Sequence, residues 1–289
     1  MIFVNKSLNL KYINQEIIWL YVDHTSRFNR NTGIQRCVRS LAVAFQYLGV
    51  QLQPVIWDRK NKSFQPATVA QRLHLAKWNG PDPSKWADSG KTKVSELLPA
   101  KWAIIPELVS GPFNPDTNDL LRASKHNSVK LAWLFHDAIP YRFPRFYPNL
   151  QVNASNSHIQ YMNGLAKFDL VLANSYTTKQ HLSEYWQTNN IIPRAILKAV
   201  PLGEDFIGYE RLPSKSDGNL VLSIGSLEPR KNHLSLLKAF TSLVAEGTWP
   251  LNLDLVIVGW PNDINVVNYV EKTLQLGLPL RWEKNADDI

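Results

Sequence analysis

Residues 225–232, reading GSLEPRKN, carry the densest chemistry in the chain. They fall between an apolar run at 219–224 and a stretch of helical spacing at 232–245. A turn of that kind belongs at the carboxyl edge of a parallel sheet, where ligands bind. The first N–H groups of a helix are unpaired and carry partial positive charge, so they attract phosphates. Gly225 lets the backbone approach closely, and Arg230 and Lys231 add two full charges. A diphosphate is the natural guest, gripped at two oxygens by a guanidinium and met by an ammonium as a point charge. The alternative is a solvated Arg-Lys pair, which a helix N-terminus disfavours unless an anion shares the site.

A second candidate is His136, followed by Asp137, at the end of the apolar run 129–135. That position predicts an imidazole at a sheet edge, facing a cleft. Such a ring can donate or accept near neutral pH, which suits sugar hydroxyls and developing phosphate charge. The alternative is a packed histidine closing a loop. Asp137 is expected to orient His136 or the loop. Glu107, in IIPEL, is a further edge candidate, and Glu204 and Asp205 fit either a hinge or a cleft lining. The other six histidines show no ligand spacing, and Cys37 is the single cysteine, so no metal and no disulfide framework is expected. Neither a G-x-G-x-x-G nor a G-x-x-x-x-G-K-[ST] motif occurs, which excludes a dehydrogenase fingerprint and a P-loop.

These residues need a scaffold, and the pattern around them supplies one. Apolar β-rich runs at 17–22, 52–57, 102–105, 129–135, 169–173 and 195–200 alternate with helical spacing at 32–48, 116–125, 152–166 and 175–186. Residues 58–101 read as a polar excursion with one helix near 69–77, and Pro140, Pro144 and Pro148 are expected to forbid regular structure. After a polar stretch at 206–218, strands at 219–224, 253–258 and 278–282 alternate with helices at 232–245 and 262–276. The reading is therefore α/β, with two Rossmann-like, doubly wound parallel sheets. The domains are 1–205 and 219–289, joined by a linker at 206–218.

The 289 residues are 44% hydrophobic, enough for real cores. A net charge of +8 favours anionic partners, but the basic residues form no long run, which argues against nucleic acid. Residues 1–10 lack a signal-peptide core, and no window reaches the roughly 18 apolar residues of a membrane span. A cytoplasmic chain is expected, with room for a peripheral membrane contact at the inner face.

The 225–232 segment and its continuation HLSLLKAF closely resemble the donor-phosphate motif of the family 4 retaining glycosyltransferases of the GT-B type. TGIQR at 32–36, FHDAIP at 135–140, ANS at 173–175, VPLGED at 200–205 and LVIVG at 255–259 fit the same family in order. The resemblance implies sugar transfer, with retention, from a nucleotide diphosphate sugar to a saccharide or lipid-linked hydroxyl acceptor. It implies no cofactor beyond the donor itself. It places Gly33 in a loop approaching the donor phosphates, where the alternative is a plain turn glycine, and leaves Arg36 either beside that loop or on the outer helix face. The family also carries a pair of glutamates later in its donor domain. No counterpart precedes Ile289, so the second domain is expected to be incomplete. The rival reading is an inactive remnant or one part of a split glycosyltransferase, without turnover on its own.

Overall fold

The computed structural model describes residues 16–89, 96–109, 114–147, 154–203 and 219–284. The chain forms two compact units, 1–209 and 210–289. Glu204, Asp205, the expected linker at 206–218 and Pro148 lie outside the described residues.

The first unit is built on a seven-stranded sheet. Its strands are β1 (Ile17–Tyr21), β2 (Gln51–Asp58), β3 (Ser63–Pro66), β4 (Trp102–Ile105), β5 (Lys130–Phe135), β6 (Leu170–Ala173) and β7 (Ile196–Ala199). They lie in the order β3-β2-β1-β4-β5-β6-β7, all parallel except β3, which runs antiparallel to β2. β1 is an interior strand, and the chain winds outward from it both ways, with two strands on one side and four on the other. Helices α1 (Gly33–Tyr47) and α2 (Val69–Leu75) cover one face. There Val38, Ala42 and Leu75 pack on Leu20, Leu52, Ile56 and Ile104. Helices α3 (Thr117–His126), α5 (Ala154–Leu165) and α6 (Tyr176–Thr188) cover the other, over a core that includes Trp19, Trp57, Trp133 and Phe135. Burial on both faces is why these strands read as continuous apolar runs.

Local signals start the helices. Ser175 caps α6 by accepting the Thr178 N–H at 3.0 Å, and Asp116 caps α3 through the Asp119 N–H at 2.7 Å. Two segments depart from the sequence reading. The excursion after residue 58 contains β3, whose Phe64 inserts among Trp19, Tyr21 and Trp57. The proline-bearing loop is not irregular throughout. It makes a short helix, α4 (Ile139–Arg142), and a 3-10 turn, Pro144–Phe146, because proline is accepted in the first turn, where its missing N–H costs nothing.

The second unit has strands β8 (Leu220–Ile224), β9 (Asp254–Val258) and β10 (Leu280–Glu283) and helices α7 (His233–Ala245) and α8 (Ile264–Leu274). Its sheet is parallel, in the order β10-β9-β8. Right-handed crossovers running one way put both helices on one face. Leu237 and Phe240 of α7 meet Val266 and Val270 of α8 over Leu255, Ile257 and Leu280. Among the described residues this sheet has three strands wound one way, in keeping with the expectation of an incomplete second sheet. Among the described residues strand β8 pairs with β9 alone, and its Leu220, Val221, Leu222 and Ile224 are exposed.

Candidate functional site

The carboxyl edge of the first sheet brings together loops from three adjacent strands, β1, β4 and β5. Residues 22–32, between β1 and α1, are tied down from several sides. The Glu107 carboxylate, just beyond β4, accepts the His24 N–H at 2.9 Å and the Thr25 N–H at 2.6 Å. Arg39, buried on α1, donates to Asn31 Oδ1 at 3.0 Å and lies over the Trp78 ring at 4.6 Å. The His74 ring meets the Phe28 carbonyl at 2.9 Å. Gln35 Nε2 meets His24 Nδ1 at 3.0 Å, while its amide oxygen meets the Thr32 hydroxyl. A loop held this way is built before any ligand arrives.

The sequence-predicted residues take different places in this edge. Glu107 is buried, at 1% exposure, and both its oxygens are engaged by backbone. Its role is to carry the 22–32 loop, not to meet a ligand at the surface. Burial pushes its carboxyl up to about 7, against hydrogen bonds from Thr25 and His24 that pull it down. His136 is half-buried at the end of β5, and its Nε2 lies 2.7 Å from the Pro106 carbonyl. A carbonyl only accepts, so Nε2 bears the proton and Nδ1 is left as an acceptor. Burial lowers its pKa, opposed by the Pro106 bond and by Asp137. Asp137 accepts the Ile139 N–H at 2.9 Å, so its carboxylate orients the loop that starts α4. The exposed Gly33 is the first residue of α1, where an added Cβ would meet nothing within 4 Å. Arg36 is exposed on the same helix.

In the second unit, the turn after β8 sits at the carboxyl edge beside the end of β9. Gly225 donates to Val258 O at 2.8 Å, and a Cβ on Gly259 would lie 1.9 Å from the Gly225 carbonyl oxygen. The two strand ends therefore touch backbone to backbone, and Leu227 is sunk into the core. Gly225 has φ +155°, and the Lys231 stem lies 3.5 Å from where its Cβ would be. Arg230 and Lys231 do not stand on the helix itself. They form a 3-10 turn, Pro229–Lys231, and α7 begins at His233 after Asn232 in the left-handed conformation. Arg230 forks onto Glu228 at 2.7 and 3.0 Å, a contact that spacing alone did not suggest. The buried His233 is held neutral by burial and then by Lys231. Sequence reasoning passed over His24, which carries no periodic or motif signal. Among the described residues no group of three or more His, Cys, Asp or Glu is placed to hold a metal.

This architecture is the α/β fold of the GT-B glycosyltransferases. A UDP-forming α,α-trehalose-phosphate synthase from Burkholderia xenovorans superposes on 94% of this chain and 73% of its own, with a TM-score of 0.50 at 11% identity. The Burkholderia vietnamiensis enzyme covers 95% and 74%, with a TM-score of 0.50 at 13% identity. At such identities the likeness is one of fold. No family model matches the chain. Over 100 residues, 32% of this chain, it is 32% identical to the mouse GDP-Man:Man(3)GlcNAc(2)-PP-Dol alpha-1,2-mannosyltransferase. That alignment spans 19% of the mouse protein's length.

Proposed function

We propose that this chain is a glycosyltransferase of the retaining, family 4 kind, moving a sugar from a nucleotide diphosphate sugar to a hydroxyl acceptor. The observation that carries the reading is the Gly225–Lys231 turn, which sets two cations beside the start of α7 at a carboxyl sheet edge. Residues 219–289 are the donor side and 1–205 the acceptor side, with 206–218 as linker. Named relatives agree in chemistry: one uses GDP-mannose with a lipid-linked acceptor, and the others form UDP. A lipid-linked saccharide acceptor and an inner membrane face follow from the same reading. Arg230 and Lys231 neutralise the departing diphosphate, a task a preorganised site performs without reorganisation. They take the place a divalent cation would fill. Gly33 offers backbone to the donor, and His136 meets the sugar or the acceptor through Nδ1.

Glu228 modifies what Arg230 does. The forked pair must open for the guanidinium to grip a phosphate. With side chains 30% and 15% exposed the pair is part-buried, so opening it costs on the order of 1 kcal/mol. A charge-assisted bond to the anion returns about 1.5–3 kcal/mol. Arg230→Ala should therefore weaken UDP or GDP about tenfold, Lys231→Ala by less, and Glu228→Gln should tighten binding. Calorimetric titration at fixed ionic strength measures all four proteins. Equal affinities, or no binding of either nucleotide, would sink the proposal.

A second reading is favoured by β8. A strand that among the described residues has an unpaired edge and four exposed apolar side chains has the character of an interior strand. On this reading the chain is one part of a split transferase, binding the donor without turning it over alone.

A further inference from the structure

His24 has the geometry of a ligand contact that no sequence motif marks. It lies just beyond β1, at the same edge as His136, and the residue is partly open to solvent while its neighbours Asp23 and Thr25 are buried. Two of its polar groups are held. Its N–H is taken by Glu107 at 2.9 Å and its Nδ1 by Gln35 at 3.0 Å. Its ring lies against Phe28 with centroids 4.6 Å apart and planes tilted by 31°, and the Phe28 carbonyl is in turn met by the His74 ring. The Gln35 amide nitrogen donates, so Nδ1 accepts and the proton sits on Nε2. Among the described residues that N–H has no partner. An imidazole held by Gln35 and Phe28 on a backbone held by Glu107, with one donor unspent, has lost rotamer freedom without gaining a bond for that donor.

The opposite arrangement exists two strands away. His136 spends Nε2 on the Pro106 carbonyl at 2.7 Å and keeps Nδ1 as an acceptor. His24 hangs on Glu107 and His136 on Pro106, adjacent residues that cross the edge between them at the end of β4. Burial lowers the pKa of each ring; Arg27 adds to this at His24, opposed by Asp23. Both are therefore neutral near pH 7 and act by hydrogen bonding.

We propose that His24 is a second ligand-contacting imidazole of this site, giving an Nε2–H donor where His136 gives an Nδ1 acceptor, with Pro106–Glu107 setting both rings. The ligand class that uses a fixed neutral donor and a fixed neutral acceptor together is a polyhydroxylated one, the sugar of the donor. A hydroxyl both donates and accepts, and a site built for it rejects a group that does only one. This rests on the glycosyltransferase reading. Glu107 is a positioning residue here, acting through the His24 backbone.

Long-range imidazole 15N spectra of the free protein test the tautomers: both His24 and His136 should be Nε2-protonated. Titrations with UDP, UDP-glucose, GDP and GDP-mannose then test the contact. His24→Ala should weaken the sugar nucleotide that binds best about three- to tenfold, the worth of one neutral hydrogen bond, and leave the matching nucleoside diphosphate unchanged. His24→Gln, which returns an N–H near the Nε2 position, should recover part of the loss, and His126→Ala, in the last turn of α3, should change nothing. A His24 protonated on Nδ1, or a His24→Ala variant that binds the sugar nucleotide like wild type, overturns this proposal and leaves the function reading standing. Failure of every variant and the wild type to bind any of the four compounds overturns both.

Discussion

Replacing Glu107 by glutamine should abolish one pH-dependent contribution to the first unit's stability. The carboxyl is raised from its ordinary 4.5 to about 7 because burial penalises its ionised form more than the His24 and Thr25 N–H groups reward it. A group raised in this way stabilises the fold when protonated. Its contribution is complete below 4.5 and is lost as pH rises through about 7. A gap of about 2.5 pH units, at about 1.4 kcal/mol each, makes the ionised form about 3 kcal/mol less favourable than the protonated one. Glutamine imitates the protonated acid: it is neutral and keeps one carbonyl to hold one of the two N–H groups. At pH 5 variant and wild type should agree within about 1 kcal/mol. At pH 8 the variant should be more stable by about 2–3 kcal/mol. Urea unfolding at both pH values, followed by fluorescence of the first unit's buried Trp19, Trp57 and Trp133, measures the difference. If the gap between variant and wild type is the same at pH 5 and pH 8, the carboxyl does not titrate there and the argument fails.

Two further substitutions probe the scaffold. Gly259→Ala would drive a methyl to 1.9 Å from the Gly225 carbonyl oxygen, so it should cost the second unit at least about 3 kcal/mol, whereas Gly203→Ala, with nothing within 4 Å, should be silent; near-ultraviolet circular dichroism on heating would separate them, and equal melts would refute the close approach. Asp88→Asn removes the carboxylate that Arg72 grips at 2.5 and 2.7 Å, both side chains being almost fully buried, and leaves a charge stranded beneath α2. It should cost about 3–5 kcal/mol by urea unfolding, and a loss under 1 kcal/mol would show that water reaches the guanidinium.

Most strands were legible within a residue or two, because a strand buried on both faces writes itself as an apolar run. Strand β3 was not, since SFQP sits at a sheet edge and only Phe64 is buried. The turn at Arg230 shows a similar limit. Its position between β8 and α7 followed from the alternation of patterns, but its grip on Glu228 did not, because a pair two residues apart meets only in an irregular turn. Glu107 could be located at an edge from the IIPEL run, yet its burial depends on N–H groups 82 and 83 residues away in sequence. His24 was invisible for the complementary reason. Its significance lies in which atoms are already spent, and that is a property of the assembled loop.

The bare flank of β8 also bears on how the protein behaves in bulk. Among the described residues that flank is unpaired, and an edge lined by Leu220, Val221, Leu222 and Ile224 is a template for strand addition, without the proline or lysine that usually blunts such an edge. β3, by contrast, closes its sheet with a short antiparallel strand ending in Pro66. Colloidal stability is therefore decided in the second unit: turbidity should grow with protein concentration and with salt, which screens the +8 net charge that otherwise keeps molecules apart.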